Sequence, residues 1–266
     1  MIPDFLAHLA AQEDLRPHLE RFAAHSQEYI QLAPDQAKHQ TLKRDHTWRV
    51  LNYASQLVSG AKLSSPAVDR AALLAALYHD IGRFEQFRIY GTYADAVSAN
   101  HATLSLLAMH KIRALEGETK ATTSLIKAAV ALHNRFALPA NTTGDRFMVA
   151  HLLRDADKLD IVQVMAGQLG PGCTPDPVVV MYLQNEPGKC TRSNLEIMAR
   201  GERIHYNDLR YVNDFRLLIS QWADALHYPQ AKRIMVQEGH LHRVVLGIDA
   251  PEAASQVQNF LKKHEQ

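Results

Sequence analysis

From about Leu42 to Val164 the apolar residues recur at steps of three and four, and little alternates as a strand would, so the segment predicts successive helices. Ser65 before Pro66 supplies a cap and a first-turn proline, and Gly82 closes the run Ala67 to Ile81. From Ala71 onward that run is apolar on every side, which predicts a helix buried inside the fold. Ala94 to Glu116, ended by Gly117, reads as a second helix and Thr119 to Leu132 as a third. Pro139 separates these from a fourth that starts near Thr143 to Asp145. The opening MIPDFLAHLAAQEDLRPHLERF has an early Asp4, no basic start and no apolar run long enough for export, so it reads as an amphipathic helix. After Gly167 the stretch GQLGPGCTPDP is rich in Gly and Pro and predicts a long loop or hinge, and from about Val178 helical periodicity returns with less clear faces. The expected fold is all-α: a helical core with an N-terminal helix over residues 1–170 and a C-terminal helical extension over 171–266 packed on it as one structural unit.

Composition narrows the partners. A chain of 266 residues, 47% hydrophobic, can bury a sizeable core. A net charge of +1 with both signs evenly spread leaves no long single-sign field, so nucleic-acid and membrane binding are not expected and a small substrate is. Cys173 and Cys190 form no CxxC pair, which excludes a disulfide framework and a thiolate zinc site; two buried, reduced thiols in a cytoplasmic protein are expected. The loosely patterned C-terminal third leaves a homo-oligomer open.

The chemistry is concentrated in histidine, of which there are 15. The buried run ends in His79 and Asp80, and burying an imidazole beside a carboxylate costs several kcal/mol for each group unless it is paired, hydrogen-bonded or bound to a cation. Helical periodicity supplies partners. His46 shares a face with Leu42, Val50, Tyr53 and Leu57; His101 with Leu104, Ser105 and Ala108; His133 continues the stripe Ile126, Ala129 and Val130. In LLRDADKLDIVQV, Asp157 and Asp160 lie on the face of Leu153, Ala156, Ile161 and Val164, while Asp155 is turned away; Asp157 is the favoured ligand, and Asp160, about one turn further on, is expected to orient Asp157 from behind. Any one such histidine is more often an ordinary hydrogen-bonded residue; six groups together are harder to explain so. Imidazoles and carboxylates without thiolates suit Mn, Fe, Co, Ni or Zn, with Mg possible.

The ordered set His46, His79-Asp80 and Asp157, carried by HTWRV, LYHDIGRFEQF, NHATLSLL, ALHNRFALP and RDADKLD, resembles the HD superfamily of metal-dependent phosphohydrolases over roughly residues 42 to 165. The resemblance implies that His46, His79, Asp80 and Asp157 hold one divalent ion, that Asp80 bridges to a second, and that His101 and His133 hold the second. Two features depart from common family patterns. Arg83 stands where many members have Lys, offering a fork instead of a point charge, and the glycine-tyrosine-proline signature of cyclic-di-GMP phosphodiesterases is missing after His133.

The resemblance implies hydrolysis of a small phosphorylated substrate, nucleotide-like or other, by water activated at two cations about 3.5 to 4 Å apart. Asp80, Arg83 and Lys158 are the candidate catalytic residues, the two cations neutralising phosphate charge. Arg83, Arg88, Tyr90 and Tyr93 are the candidate substrate contacts, in a connection that is equally able to pack down on the core, and Glu85 is a guess for the general acid. Five arginines between Arg192 and Arg216 read first as a solvated face, interleaved with Glu196, Glu202 and Asp208. Two other classes stand beside the hydrolase: an HD-fold mixed-valence diiron oxygenase with the same ligand set, and a binding or sensor module that keeps only the fold.

Overall fold

The computed structural model describes residues 1–61 and 63–264, and among them the structure is helical, the one β-type pairing being an isolated bridge between Gln184 and Tyr211. The chain divides into two units, Met1–Asp160 and Ile161–Gln266. The division falls within a helix, ahead of the Gly- and Pro-rich segment where the sequence suggests it.

The first unit contains α1 (Ala7–Ala10), α2 (Arg16–Leu32), α3 (Ala37–Ala61), α4 (Pro66–Tyr78), α5 (Gly82–Tyr90), α6 (His101–Lys111), α7 (Lys120–Leu132) and most of α8 (Gly144–Leu169). Its centre is α4, in which Ala71 to Tyr78 are all buried and which packs against α3 on one side and α7 on the other. Burying leucines such as Leu74 and Leu77 contributes about 1.5–3 kcal/mol each. A polar lock joins α2 to this centre: His18 lies 3.1 Å from the Tyr78 hydroxyl and 3.1 Å from Glu118, which also accepts from Arg70.

Three predicted boundaries move. The N-terminal amphipathic segment is two helices, broken between α1 and α2, with Pro17 in the first turn of α2 where its missing N–H costs nothing. The helix expected from Ala94 begins only at His101: Asp95–Val97 form a 3₁₀ turn, and the Asn100 side chain caps α6 by accepting from Thr103 N at 3.0 Å. The third change concerns Gly82, which does not end α4 but begins α5. The aromatic connection RFEQFRIYGTYAD is therefore largely helical, and α5 stops at Gly91, whose φ of 62° is the left-handed conformation that ends helices.

In the second unit are α9 (Arg192–Ala199), α10 (Val212–Ser220), α11 (Trp222–Ala225), α12 (Pro229–Glu238), α13 (His240–Leu246) and α14 (Pro251–His264). Every residue of α10 is buried, and α10 packs against α13 and α14. Asp214 at its start accepts from the backbone of Thr191, Arg210 and Tyr211 and from the Thr191 hydroxyl, and so ties the preceding loop to the helix. Arg192 and Arg200 pair with Glu196 and Glu202 on the surface, as a solvated face would, but Arg216 is buried and donates to Leu169 O and Asn213. Cys173 and Cys190 are free thiols, partly exposed where full burial was expected. No described helix is long and apolar enough to cross a membrane.

The role of Gly82 is close approach. A Cβ there would stand 2.3 Å from Ser105 N and 2.4 Å from Leu104 C, both backbone atoms of α6, and Gly82 N donates to Ser105 Oγ at 3.0 Å. Gly82→Ala must therefore push α5 and α6 apart, and should lower the urea-unfolding free energy by about 2–3 kcal/mol.

Candidate metal centre

Two histidines occupy the same local position on different helices. His79 is the residue after α4 and His133 the residue after α7, and each points its Nδ1 at the carbonyl three residues back: Ala76 O at 2.8 Å and Val130 O at 2.7 Å. The last carbonyls of a helix lack intrahelical donors. A histidine at the C-cap satisfies one with Nδ1–H and aims Nε2 away from the helix end. The other two rings are held by carboxylates. His46, in the middle of α3, has Nδ1 2.6 Å from Asp160 Oδ2; His101, first residue of α6, has Nδ1 2.6 Å from Asp95 Oδ2. All four partners are acceptors, so in the neutral ring each Nδ1 carries the proton and each Nε2 presents a lone pair.

The four Nε2 atoms converge on Asp80 and Asp157. His46 Nε2 lies 3.5 Å from Asp80 Oδ2 and 3.3 Å from Asp157 Oδ1, and His79 Nε2 lies 3.8 and 3.6 Å from the same two oxygens. On the other carboxylate oxygen, Asp80 Oδ1 is 3.6 Å from His101 Nε2 and 3.7 Å from His133 Nε2. The donor atoms of His46, His79 and Asp80, of His79, His133 and Asp157, and of Asp80, His101 and His133 each lie within 4.8 Å of one another, a spacing compatible with divalent ions. His46 Nε2, His79 Nε2 and Asp80 Oδ1 are buried without a hydrogen-bond partner. His101 Nε2 and His133 Nε2 face each other at 2.9 Å. Lone pairs opposed to one another and to carboxylate oxygens repel unless a cation lies among them, so the donor set fits a metal ion.

Charged side chains surround the cluster. Lys43 Nζ is 3.0 Å from Asp80 Oδ2 and Arg83 Nε 3.4 Å from Asp80 Oδ1. Burial disfavours the charge of Asp80, but Lys43 and Arg83 outweigh it and hold the carboxyl well below its ordinary value. His101 is pulled down to about 3, by burial first and Arg83 second, and stays a neutral imidazole. Arg49 donates to both oxygens of Asp160, at 2.5 and 3.1 Å. Asp95 also accepts from Gln86, Arg83 and Asn134. Arg154, on α8, donates to the carbonyls of Leu132, His133, Arg135 and Phe136, closing the end of α7 behind His133.

The structure thus brings His46, His79, Asp80, His101, His133 and Asp157 into one cluster, with Arg83 beside it. Asp160 lies directly behind His46. Lys158 follows Asp157, its Nζ 3.5 Å from Arg154 O of its own helix. Tyr93 is buried at the cluster's edge, its hydroxyl donating to His39 O at 2.9 Å and its ring below Lys43 and Arg83, at 5.1 and 5.8 Å. Arg88 and Tyr90 stand exposed on α5, and Arg88 is tied to Glu85 at 2.8 Å. Arg88 and the hydroxyl of Tyr29 hold the Glu85 carboxyl down at about 2, so it has no proton to give near neutral pH and does not fit a general acid. Asp155, turned from the ligand face, is nevertheless fully buried. Sequence reasoning missed Lys43, Arg49, Asp95 and Arg154. Lys43 and Arg49 had a signal, since they flank His46 at three residues on either side and share its face of α3.

The first unit is all-helical, and its buried histidines and aspartates converge with a spacing able to hold divalent ions. Residues 44–162 match the family model of the HD domain, and the match supports the resemblance of this segment to the superfamily of metal-dependent phosphohydrolases. Neither the curated proteins nor the solved structures return a match.

Asp160 ties two of these groups together, which makes it testable apart from any ion. Asp160→Ala leaves Arg49 and His46 Nδ1 without their acceptor, and should lower the stability of metal-free protein by about 2–4 kcal/mol in urea unfolding, with Asp160→Asn costing less.

Proposed function

We propose that the chain is a divalent-metal-dependent phosphohydrolase acting on a small phosphorylated substrate. The observation that carries this reading is the convergence of four proton-fixed imidazoles, each by its Nε2, on the carboxylates of Asp80 and Asp157. In it His46, His79, Asp80 and Asp157 would hold one ion, and His101 and His133, again with Asp80, a second. Ions bound there supply hydroxide from water near neutral pH and withdraw charge from a phosphoryl group.

The chain's own residues do the positioning. The Nδ1 partners fix the four rings before any ion arrives, so little reorganisation remains to be done on binding. Arg83 has Nη2 3.3 Å from His101 Nε2 and Nη1 on the carbonyl of Tyr93 at 2.6 Å, which keeps its guanidinium beside the second ion position, ready for a phosphoryl oxygen. Lys158, next to Asp157, is the second candidate for that charge. Arg88 and Tyr90, at the exposed end of α5, are the candidates for contacts to the remainder of a substrate, while Tyr93 serves through its ring because its hydroxyl is engaged.

Metal analysis of the purified protein should find close to two divalent ions per chain. Stripping with a chelator should abolish hydrolysis of p-nitrophenyl phosphate and bis-p-nitrophenyl phosphate, and Mn or Co should restore it without oxygen. Asp80→Asn and His79→Ala should lose metal and slow turnover by on the order of a thousandfold. Iron-loaded protein that consumes oxygen and hydrolyses neither ester would instead support the oxygenase; retained hydrolysis in both variants would place the chemistry elsewhere.

A further inference from the structure

The residues of the cluster differ in their access to solvent. His79, Asp80, His133 and His46 form the floor, with side chains 0 to 4% exposed. Lys43, Arg83 and Asp157 form the rim, at 16, 14 and 16%. Both rim cations are directed at Asp80, a carboxylate that the proposed function gives to the ions.

An ion held by Asp80 would compete with Lys43, whose Nζ lies 3.0 Å from Asp80 Oδ2, and would weaken that pair, because a dication repels a nearby ammonium. Lys43 has another support, because its Nζ lies 5.1 Å above the ring of Tyr93, which is fixed in turn by stacking on Phe87 at 4.7 Å and by its hydroxyl on His39 O. With ions in place Lys43 would remain at the rim as a positive charge whose pairing with Asp80 is weakened.

The charges facing this point are Asp80, Asp157, Asp95 and Asp160 against Lys43, Arg83 and Arg49, which leaves the protein groups one negative charge in excess. Arg49 and Asp160 cancel locally, and two divalent ions turn the cluster strongly positive. A phosphomonoester carries two negative charges near neutral pH and a diester one, so a further cation at the rim favours the monoester.

Resting on the hydrolase reading, we propose that Lys43 binds the non-bridging oxygens of a phosphomonoester dianion and sets the preference of this site for monoesters over diesters. Mn-loaded wild type, Lys43→Met and Lys43→Arg should be compared by kcat/KM on p-nitrophenyl phosphate and bis-p-nitrophenyl phosphate, by calorimetric titration with inorganic phosphate, and by metal content. Wild type should favour the monoester. In Lys43→Met the monoester-to-diester preference and the affinity for inorganic phosphate should each fall on the order of tenfold or more, as loss of one charge-assisted contact predicts. Metal content should match wild type, and Lys43→Arg should recover much of both. Equal losses on the two esters, unchanged phosphate affinity, or a wild-type preference for the diester would each overturn the assignment. Hydrolysis of neither ester by wild type overturns the underlying hydrolase reading instead, and the phosphate titration then still decides whether Lys43 is an anion site.

Discussion

The carboxylate of Asp80 is placed where α4 and α7 end and α5 and α6 begin, and almost nothing around it is free to be otherwise. It is 3% exposed, follows the terminus of the most buried helix in the first unit, and faces four imidazole nitrogens, a lysine and an arginine. A buried charge of this kind is tolerable only if each neighbour has its own orientation fixed by something else. That requirement accounts for the outer ring: Asp160 behind His46, Asp95 behind His101, and helix-end carbonyls behind His79 and His133. Arg49 in turn braces Asp160, and Arg154 braces the backbone that carries and follows His133.

The two helix-end histidines show how ordinary backbone physics is used twice. An α-helix leaves unsatisfied carbonyls at its C-terminus, and many helices end on a glycine that lets the following N–H groups cap them. Here a side chain does part of that work, and the ring doing it has a second nitrogen. α4 and α7 pack against each other, so their ends lie together and the His79 and His133 rings meet edge to face at 5.1 Å. Shifting either helix by one residue would move its imidazole by about a third of a turn, away from Asp80.

Sequence periodicity could locate the inward-facing polar residues because helix faces obey a fixed period, and His46, His101, His133 and Asp157 each interrupt an apolar stripe. It could not locate the cations and carboxylates that act from turns or across helices. Asp95 sits in a 3₁₀ turn with no periodic face, and Arg154 reaches the end of a different helix. The boundary at Gly82 was misplaced for a related reason: glycine signals both helix ends and close approaches, and only the α5–α6 distance separates the two. Burial itself was also only partly legible. Asp155 points away from the ligand face yet is enclosed, since α8 is covered on more than one side.

The connection from Gly91 to Asn100 links the deepest part of the site to its edge. Asp95 accepts from His101 and also from Arg83, Gln86 and Asn134, while Tyr93, two residues earlier, gives its carbonyl to Arg83 and its ring to Lys43. Gln86 closes the turn from the other side by donating to Ser98 Oγ and Ala99 O. The orientation of an imidazole on the floor and the placement of both rim cations therefore depend on one short non-helical segment. An ordinary loop varies without consequence for the chemistry beneath it. This one cannot shift without changing the floor and the rim together, so substitutions in it should be read as changes to the site even where no candidate ligand is touched.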